Sequence, residues 1–278
     1  MFKKISTIIM LSLFFIGLSV LLYPSISAYW NSKTQSQVVQ SYENMVQNMS
    51  KENTDEIFDA ADLYNENLRN LEFPLRDYSL VESYSDTLNL NGSGMMGYIT
   101  IPSIGVELPV YHTVSESILA FAAGHMEGTS LPVGGESTHS VISAHRGLPN
   151  AKLFTDLDKI RLGDVFTVTI LNRVITYQVD QIITVLPENT ADINVVEGEE
   201  YCTLLTCTPY GINTHRLLVR GKRIDTITEK QVYVSDEAYR IDNMIVTPIV
   251  ALPILLVLIV IVCCQPVKHE RLIEGDET

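Results

Sequence analysis

Residues 201–223 read YCTLLTCTPYGINTHRLLVRGKR. Tyr201 to Thr206 is a run of Thr, Leu and an aromatic residue that predicts a strand, with Cys207 at its end. Pro209, Gly211 and Asn213 break the run into a loop, and Arg216 to Arg220 opens a second strand. If these two strands pair antiparallel, Cys207 and Arg216 face each other across the ladder, about 5 Å apart at the backbone. Strand side chains alternate between faces, so the odd spacing of Cys202 and Cys207 points them to opposite sides, and no disulfide between them is expected.

Outward from this hairpin the pattern repeats. Met96 to Tyr111 reads as two short strands broken by Pro102, Gly105 and Pro109. Val141–Ala144, Val165–Ile170, Val174–Asp180 and Ile182–Leu186 are further strand-like runs, with short helical stretches around Ser115–Ala122 and Leu153–Lys159. Many short strands with few helices predict a mostly β domain, a barrel or a sandwich. Upstream, Val38, Tyr42, Met45 and Met49, then Ile57, Ala61, Tyr64 and Leu68, recur at helical spacing, and simple packing explains both stripes. Leu71 to Ser93 is irregular and polar and reads as a loop; loops of that length are usually functional or disordered.

The two ends are apolar. Ile5 to Tyr23 carries no charge and is long enough as a helix to cross a bilayer. Lys3 and Lys4 before it place the N-terminus in the cytoplasm. An uncleaved anchor is the favoured reading; a cleaved signal peptide, using the small residues Ser25, Ser27 and Ala28, is the alternative. Met244 to Cys264 is a second charge-free run, followed by Lys268 and Arg271 and preceded by Asp236, Glu237 and Asp242. Both termini are then cytoplasmic, and the span from about Trp30 to Asp242 lies outside the membrane. Cys263 and Cys264 fall at the end of this second run, so Cys202 and Cys207 are the cysteines left to the outer segment.

Composition narrows the function. Acidic residues outnumber basic ones 33 to 19, a net charge of -14, which argues against a nucleic-acid partner because phosphate binding needs clustered Lys and Arg. No clustered ligand spacing asks for a metal, and no cofactor is expected. An unpaired cysteine outside the cell is a candidate for chemistry. Cys202 reads as a small buried hydrophobe. His112, His125, His139 and His215 read as structural, and Arg220 and Arg223 as residues of a solvated face.

His145 differs, because it sits where the strand-like run in THSVISAHRGLP (Thr138 to Pro149) meets a turn, at a strand end able to reach a cleft. A thiolate is a strong nucleophile, but a free thiol has a pKa of about 8.5 and needs a nearby cation or base. Histidine can supply charge and then protonate a leaving amine. Arginine keeps its charge and can stabilise an oxyanion. Cys207, His145 and Arg216 together suit acyl transfer through a thioacyl intermediate.

At these segments the chain resembles the sortases, and among them the pilus-assembling class C group. TLLTC at Thr203 to Cys207 matches the family's TLxTC signature, TPYGINTHRLLVRG places Arg216 at its arginine, and SAHRGLP places His145 at its histidine. GHMEGTSLPVGG, Gly124 to Gly135, is similar to a class C segment, and the match spans Met96 to Arg223. The resemblance implies a closed eight-stranded β-barrel and cleavage of an LPxTG-like sorting signal between Thr and Gly. A lysine amine of another pilin subunit would then accept the acyl group from Cys207. It implies supporting or substrate-binding roles for Thr206 and Leu204. Many class C enzymes carry a lid loop with an Asp-Pro-aromatic motif; Leu71 to Ser93 has none, so either Asp77 and Tyr78 are the candidate lid residues instead or the loop is an open, mobile linker. The implied layout is an N-terminal anchor (1–30), a helical segment with the candidate lid (31–93), the catalytic barrel (94–226), a linker (227–243), a C-terminal transmembrane helix (244–264) and a cytoplasmic tail (265–278). Partners would be LPxTG-bearing pilin or surface proteins, an amine acceptor and the membrane. Two alternatives are anchoring of single proteins to peptidoglycan and a catalytically silent receptor for sorting signals.

Overall fold

The computed structural model of the chain describes residues 2–226 and Pro253. The expected second membrane helix, its linker and tail, and Cys263 and Cys264 lie outside the described residues. The chain divides into two compact units, one containing residues 1–25 and the other residues 26–235.

Helix α1 runs unbroken over Phe2–Gln47, with Pro24 inside it. From Leu11 it is long and apolar enough to cross a membrane, and it exposes Leu13, Phe15, Ile16 and Val20. The sequence reading separated an anchor from a first helical stripe near residue 30; one helix carries both.

In the body, the later turns of α1 bury Val39 and Tyr42. The Tyr42 hydroxyl donates to the Met96 carbonyl (2.7 Å) and accepts from the Leu171 amide (2.9 Å), tying helix to barrel. Ser50 caps α2 (Lys51–Arg69) by accepting from the Asn53 amide. The stripe Phe58, Ala61, Tyr64 and Leu68 is buried, and Asn65 exchanges two hydrogen bonds with the Leu131 backbone.

Among the described residues eight strands follow: β1 (Met95–Ile101), β2 (Val106–His112), β3 (Ala123–His125), β4 (Thr138–Ser143), β5 (Val165–Ile170), β6 (Arg173–Val185), β7 (Glu200–Thr208) and β8 (His215–Ile224). They close into a barrel in the order β1-β2-β3-β4-β7-β8-β6-β5, so no strand is left with an unpaired edge. β2/β3 and β4/β7 are parallel and the other pairs antiparallel. The interior is filled by residues such as Ile99, Leu108, Ile142, Phe166, Ile175, Cys202, Leu204 and Val219. Alternation along β4, β7 and β8 sends Val141, Leu205 and Leu218 to the opposite face, where Ile193 and Leu75 cover them.

Two expectations are corrected. Val174–Asp180 and Ile182–Leu186 are one strand, β6, bent at a bulge between Val179 and Gln181. Asp180 at that bulge pairs with Arg220 through two hydrogen bonds of 3.0 and 2.7 Å, which is why a charge interrupts the strand pattern. Arg220 is therefore paired and lies over the Tyr201 ring (4.2 Å) instead of on a simply solvated face. Strand β3 was not expected at all, since three buried residues carry no periodicity.

Candidate active site

β7 and β8 pair antiparallel, with Cys207 directly opposite Arg216 and Leu205 opposite Leu218 on the same face. β4 runs parallel to β7, so the ends of both strands emerge at the same rim. The ladder between them stops at Ser143–Leu205, and one further backbone bond joins the Ala144 amide to the Leu205 carbonyl (3.2 Å). His145 comes next. The Thr206 hydroxyl, buried at the barrel end, donates to the Ala144 carbonyl (2.8 Å) and so fixes the residue before the imidazole. The Phe154 amide donates to the His145 carbonyl (3.1 Å) from the other side.

His145, Cys207 and Arg216 line one cavity of about 300 Å³. Leu205, Leu218 and Met126 form apolar walls, and Leu186, Pro187, Asn189, Thr190 and Ile193, from the segment joining β6 to β7, form a side. A second cavity, of about 640 Å³, runs between the end of α2 and the Thr129–Ser137 region; it shares Ile193 with the first but contains none of the three reactive groups.

The partners of each group follow from its place. His145 Nε2 lies 3.2 Å from Glu116 Oε1, a carboxylate 85% exposed on the short helix α3 (Glu116–Leu119). Sequence reasoning missed Glu116, which carries no spacing signal relative to His145. Arg216 donates to the carbonyls of Asn213 (3.2 Å) and His215 (3.1 Å), which holds the guanidinium on its own loop. Cys207 is a free, half-buried thiol. Cys202 is also free but fully buried, and burial, then the charge of Glu200, pushes its thiol well above the ordinary range, so it stays protonated and inert.

The other candidates separate. Leu204 is fully buried in the barrel interior and does not line the cavity; its neighbour Leu205 does, because the face alternates. Asp77 and Tyr78 do not line the cavity either. Asp77 is held by Arg76 through two 2.7 Å hydrogen bonds, and Tyr78 packs against the main core. Leu75 is the residue of that segment that packs against the Ile193–Leu218 cluster. His125 and His139 are buried in hydrogen-bonded sites, and burial lowers the affinity of each for a proton.

Residues 99–224 match the model of the Sortase domain family. Among solved structures, the chain is similar to sortase C1 from Streptococcus agalactiae, at 45% identity and a TM-score of 0.62, covering 68% of this chain and 99% of that one. It is similar to Streptococcus pneumoniae Sortase C at 46% identity and a TM-score of 0.62, covering 68% and 97%. Sortase A of Streptococcus agalactiae serotype III (strain NEM316) is 29% identical over 155 residues, 52% of this chain, and the match spans 62% of that relative's length.

Proposed function

Because the chain belongs to the sortase family of cysteine transpeptidases, we propose that it cleaves an LPxTG-like sorting signal between Thr and Gly and joins the acyl group to a lysine amine of a pilin subunit. The observation that carries this reading is the single cavity lined by Cys207, His145 and Arg216.

In the proposed reaction the Cys207 thiolate attacks the threonine carbonyl carbon. The charge that develops on the carbonyl oxygen is met by the Arg216 guanidinium. The tetrahedral centre collapses, the C–N bond to glycine breaks, and His145 protonates the departing amine, leaving a thioester on Cys207. The lysine Nζ then attacks the thioester carbonyl, His145 takes up the proton, and the thiolate leaves as the isopeptide bond forms. The apolar walls around Leu205 and Leu218 suit the Leu-Pro part of the signal. The α1 helix supports a membrane anchor with the barrel on the extracytoplasmic side, and the cytoplasmic placement of both termini rests on the charge pattern flanking the two apolar runs of the sequence.

The test uses the full chain in detergent with an LPxTG peptide and a lysine-bearing pilin peptide. Intact mass should show the peptide acyl group, without its glycine-onward tail, on Cys207, and none on C207A. Absence of both adduct and Thr–Gly cleavage would sink the proposal and leave a silent receptor. Resolution of the adduct by peptidoglycan amines but not by lysine would replace pilin assembly with wall anchoring.

A further inference from the structure

His145 lies just past the last bond between β4 and β7, so a ladder fixes its chain on one side only. On its far side a different contact operates. Gly147 adopts φ +78°, and a Cβ placed there would sit 2.6 Å from Cε2 and 2.9 Å from Cζ of Tyr210. The tyrosine ring thus lies directly on the bare glycine Cα, a contact that any side chain at 147 would prevent. Arg146, between His145 and Gly147, has a side chain only 10% exposed; it pairs with Asp158 at 2.5 Å and lies 6.0 Å from the Tyr210 ring centroid. The Gly147 amide donates to Thr155 (3.1 Å), which pins the turn beneath the ring.

Tyr210 belongs to the loop joining β7 to β8, three residues after Cys207. That loop is closed by the Pro209 carbonyl, which accepts from the amides of Ile212 (3.1 Å) and Asn213 (3.0 Å). The Asn213 carbonyl in turn accepts from Arg216. The ring therefore connects the turn that carries the imidazole to the hairpin that carries thiol and guanidinium. Neither Tyr210 nor Gly147 lines the reactive cavity, and Tyr210 remains 61% exposed. A side chain that exposed, with one face seated on a glycine, acts through the turn it covers.

We propose that Tyr210 is a positioning residue: seated on Gly147, it latches the His145 turn to the Cys207–Arg216 hairpin. The proposal rests on the transpeptidase reading above, in which His145 must reach Cys207. Loss of the ring removes the contact that joins the far side of the turn to the hairpin, leaving the turn held only by Phe154, Asp158 and Thr155, and displacement on the scale of an ångström lowers turnover without altering the cavity that binds the signal.

The test compares Y210A, Y210F and the parent, as full chains in detergent, in steady-state cleavage of an LPxTG peptide. Y210A is expected to lose roughly tenfold to a hundredfold in kcat with KM within about twofold, while Y210F, which keeps the ring, matches the parent. Unchanged kcat in Y210A overturns the latch. So does a raised KM at constant kcat, which would make the ring a docking surface for substrate. If Y210A does not accumulate folded, Y210L serves the same comparison with the same two outcomes. Alkylation of Cys207 by iodoacetamide, followed on its own peptide by mass spectrometry, needs no sorting signal. A slower rate in Y210A than in Y210F supports the latch even where the parent fails to cleave the peptide, a failure that counts against the proposed function alone. Equal rates in all three, with equal kcat wherever cleavage occurs, count against the latch.

Discussion

Replacing Thr206 with valine tests the near side of the histidine turn. Thr206 is 1% exposed, and its hydroxyl gives the Ala144 carbonyl a 2.8 Å hydrogen bond. Valine keeps the shape and removes the donor. Leaving a buried carbonyl without that partner costs about 1–3 kcal/mol. For a body of this size that lowers the melting temperature by about 2–10 °C. The larger effect should fall on turnover. The Ala144 carbonyl immediately precedes His145, and relaxing it displaces the imidazole relative to a thiol held on the adjacent strand. A loss of roughly tenfold to a hundredfold in kcat is expected, with KM little changed. T206S, which keeps the donor, should recover most of both losses. Thermal unfolding of the full chain in detergent and peptide cleavage are the two assays. A T206V variant that melts early yet turns over at the parental rate would refute the reasoning, because the bond would then serve the barrel and not the histidine.

Other expectations follow from individual contacts. Glu116 is so exposed that its pairing with His145 is weak, and E116Q should change kcat by no more than about fivefold; a hundredfold loss would give Glu116 a far larger role. A Cβ at Gly221 would lie 2.6 Å from the Phe166 ring and 2.7 Å from Tyr177 Cβ, so G221A should lower the melting temperature through about 1–3 kcal/mol of overpacking while the folded fraction keeps its kcat, as active-site titration against unfolding would show. His125 is buried, donates from Nε2 to the Ser130 carbonyl (2.9 Å) and accepts at Nδ1 from Tyr84 (2.9 Å), and burial lowers its pKa to about 4. The unfolded chain, with an ordinary histidine near 6.5, binds more protons between those values, so stability is full above pH 6.5 and falls as pH drops toward 4, by roughly 3 kcal/mol. Melting temperature against pH should show this slope, and H125Q should reduce it, leaving the part that the buried His139 contributes in the same direction.

Much of the site is legible because it rests on strand arithmetic. A loop with Pro209, Gly211 and Asn213 between two strand-like runs is enough to face Cys207 toward Arg216, and the odd spacing from Cys202 is enough to send that thiol inward. Thr206 was picked out by resemblance, and its bond to Ala144 gives it a physical basis as a support. The same alternation removes Leu204 from the cavity, a step the motif match alone does not take. What stayed hidden depends on contacts between segments distant in the chain. Glu116 meets His145 across 29 positions, and Tyr210 meets Gly147 only once the barrel has closed. The cavity wall from Leu186 to Ile193 is turn and loop ending in one short 3-10 turn, Ala191–Ile193, too short for any period to be read. Asp77, the candidate lid residue, pairs with its neighbour Arg76 and does not line the cavity, a pairing that no spacing in the sequence announces.

The parallel pairing of β4 with β7 has a further consequence. Two antiparallel strands would have delivered histidine and cysteine to opposite ends of the barrel; two parallel ones deliver them together, yet 62 positions apart in sequence. The chain between them must travel back along the barrel before β7 can begin, and the part that leaves the end of β6, Leu186 to Ile193, passes the thiol as a wall. One wall of the cavity therefore belongs to a segment that carries none of the three reactive groups, while the walls at Leu205 and Leu218 share their strands with Cys207 and Arg216. Under the proposed function, exchanging the 186–193 segment should alter the preference for sorting-signal peptides while Cys207, His145 and Arg216 keep their places on β7, β8 and the end of β4.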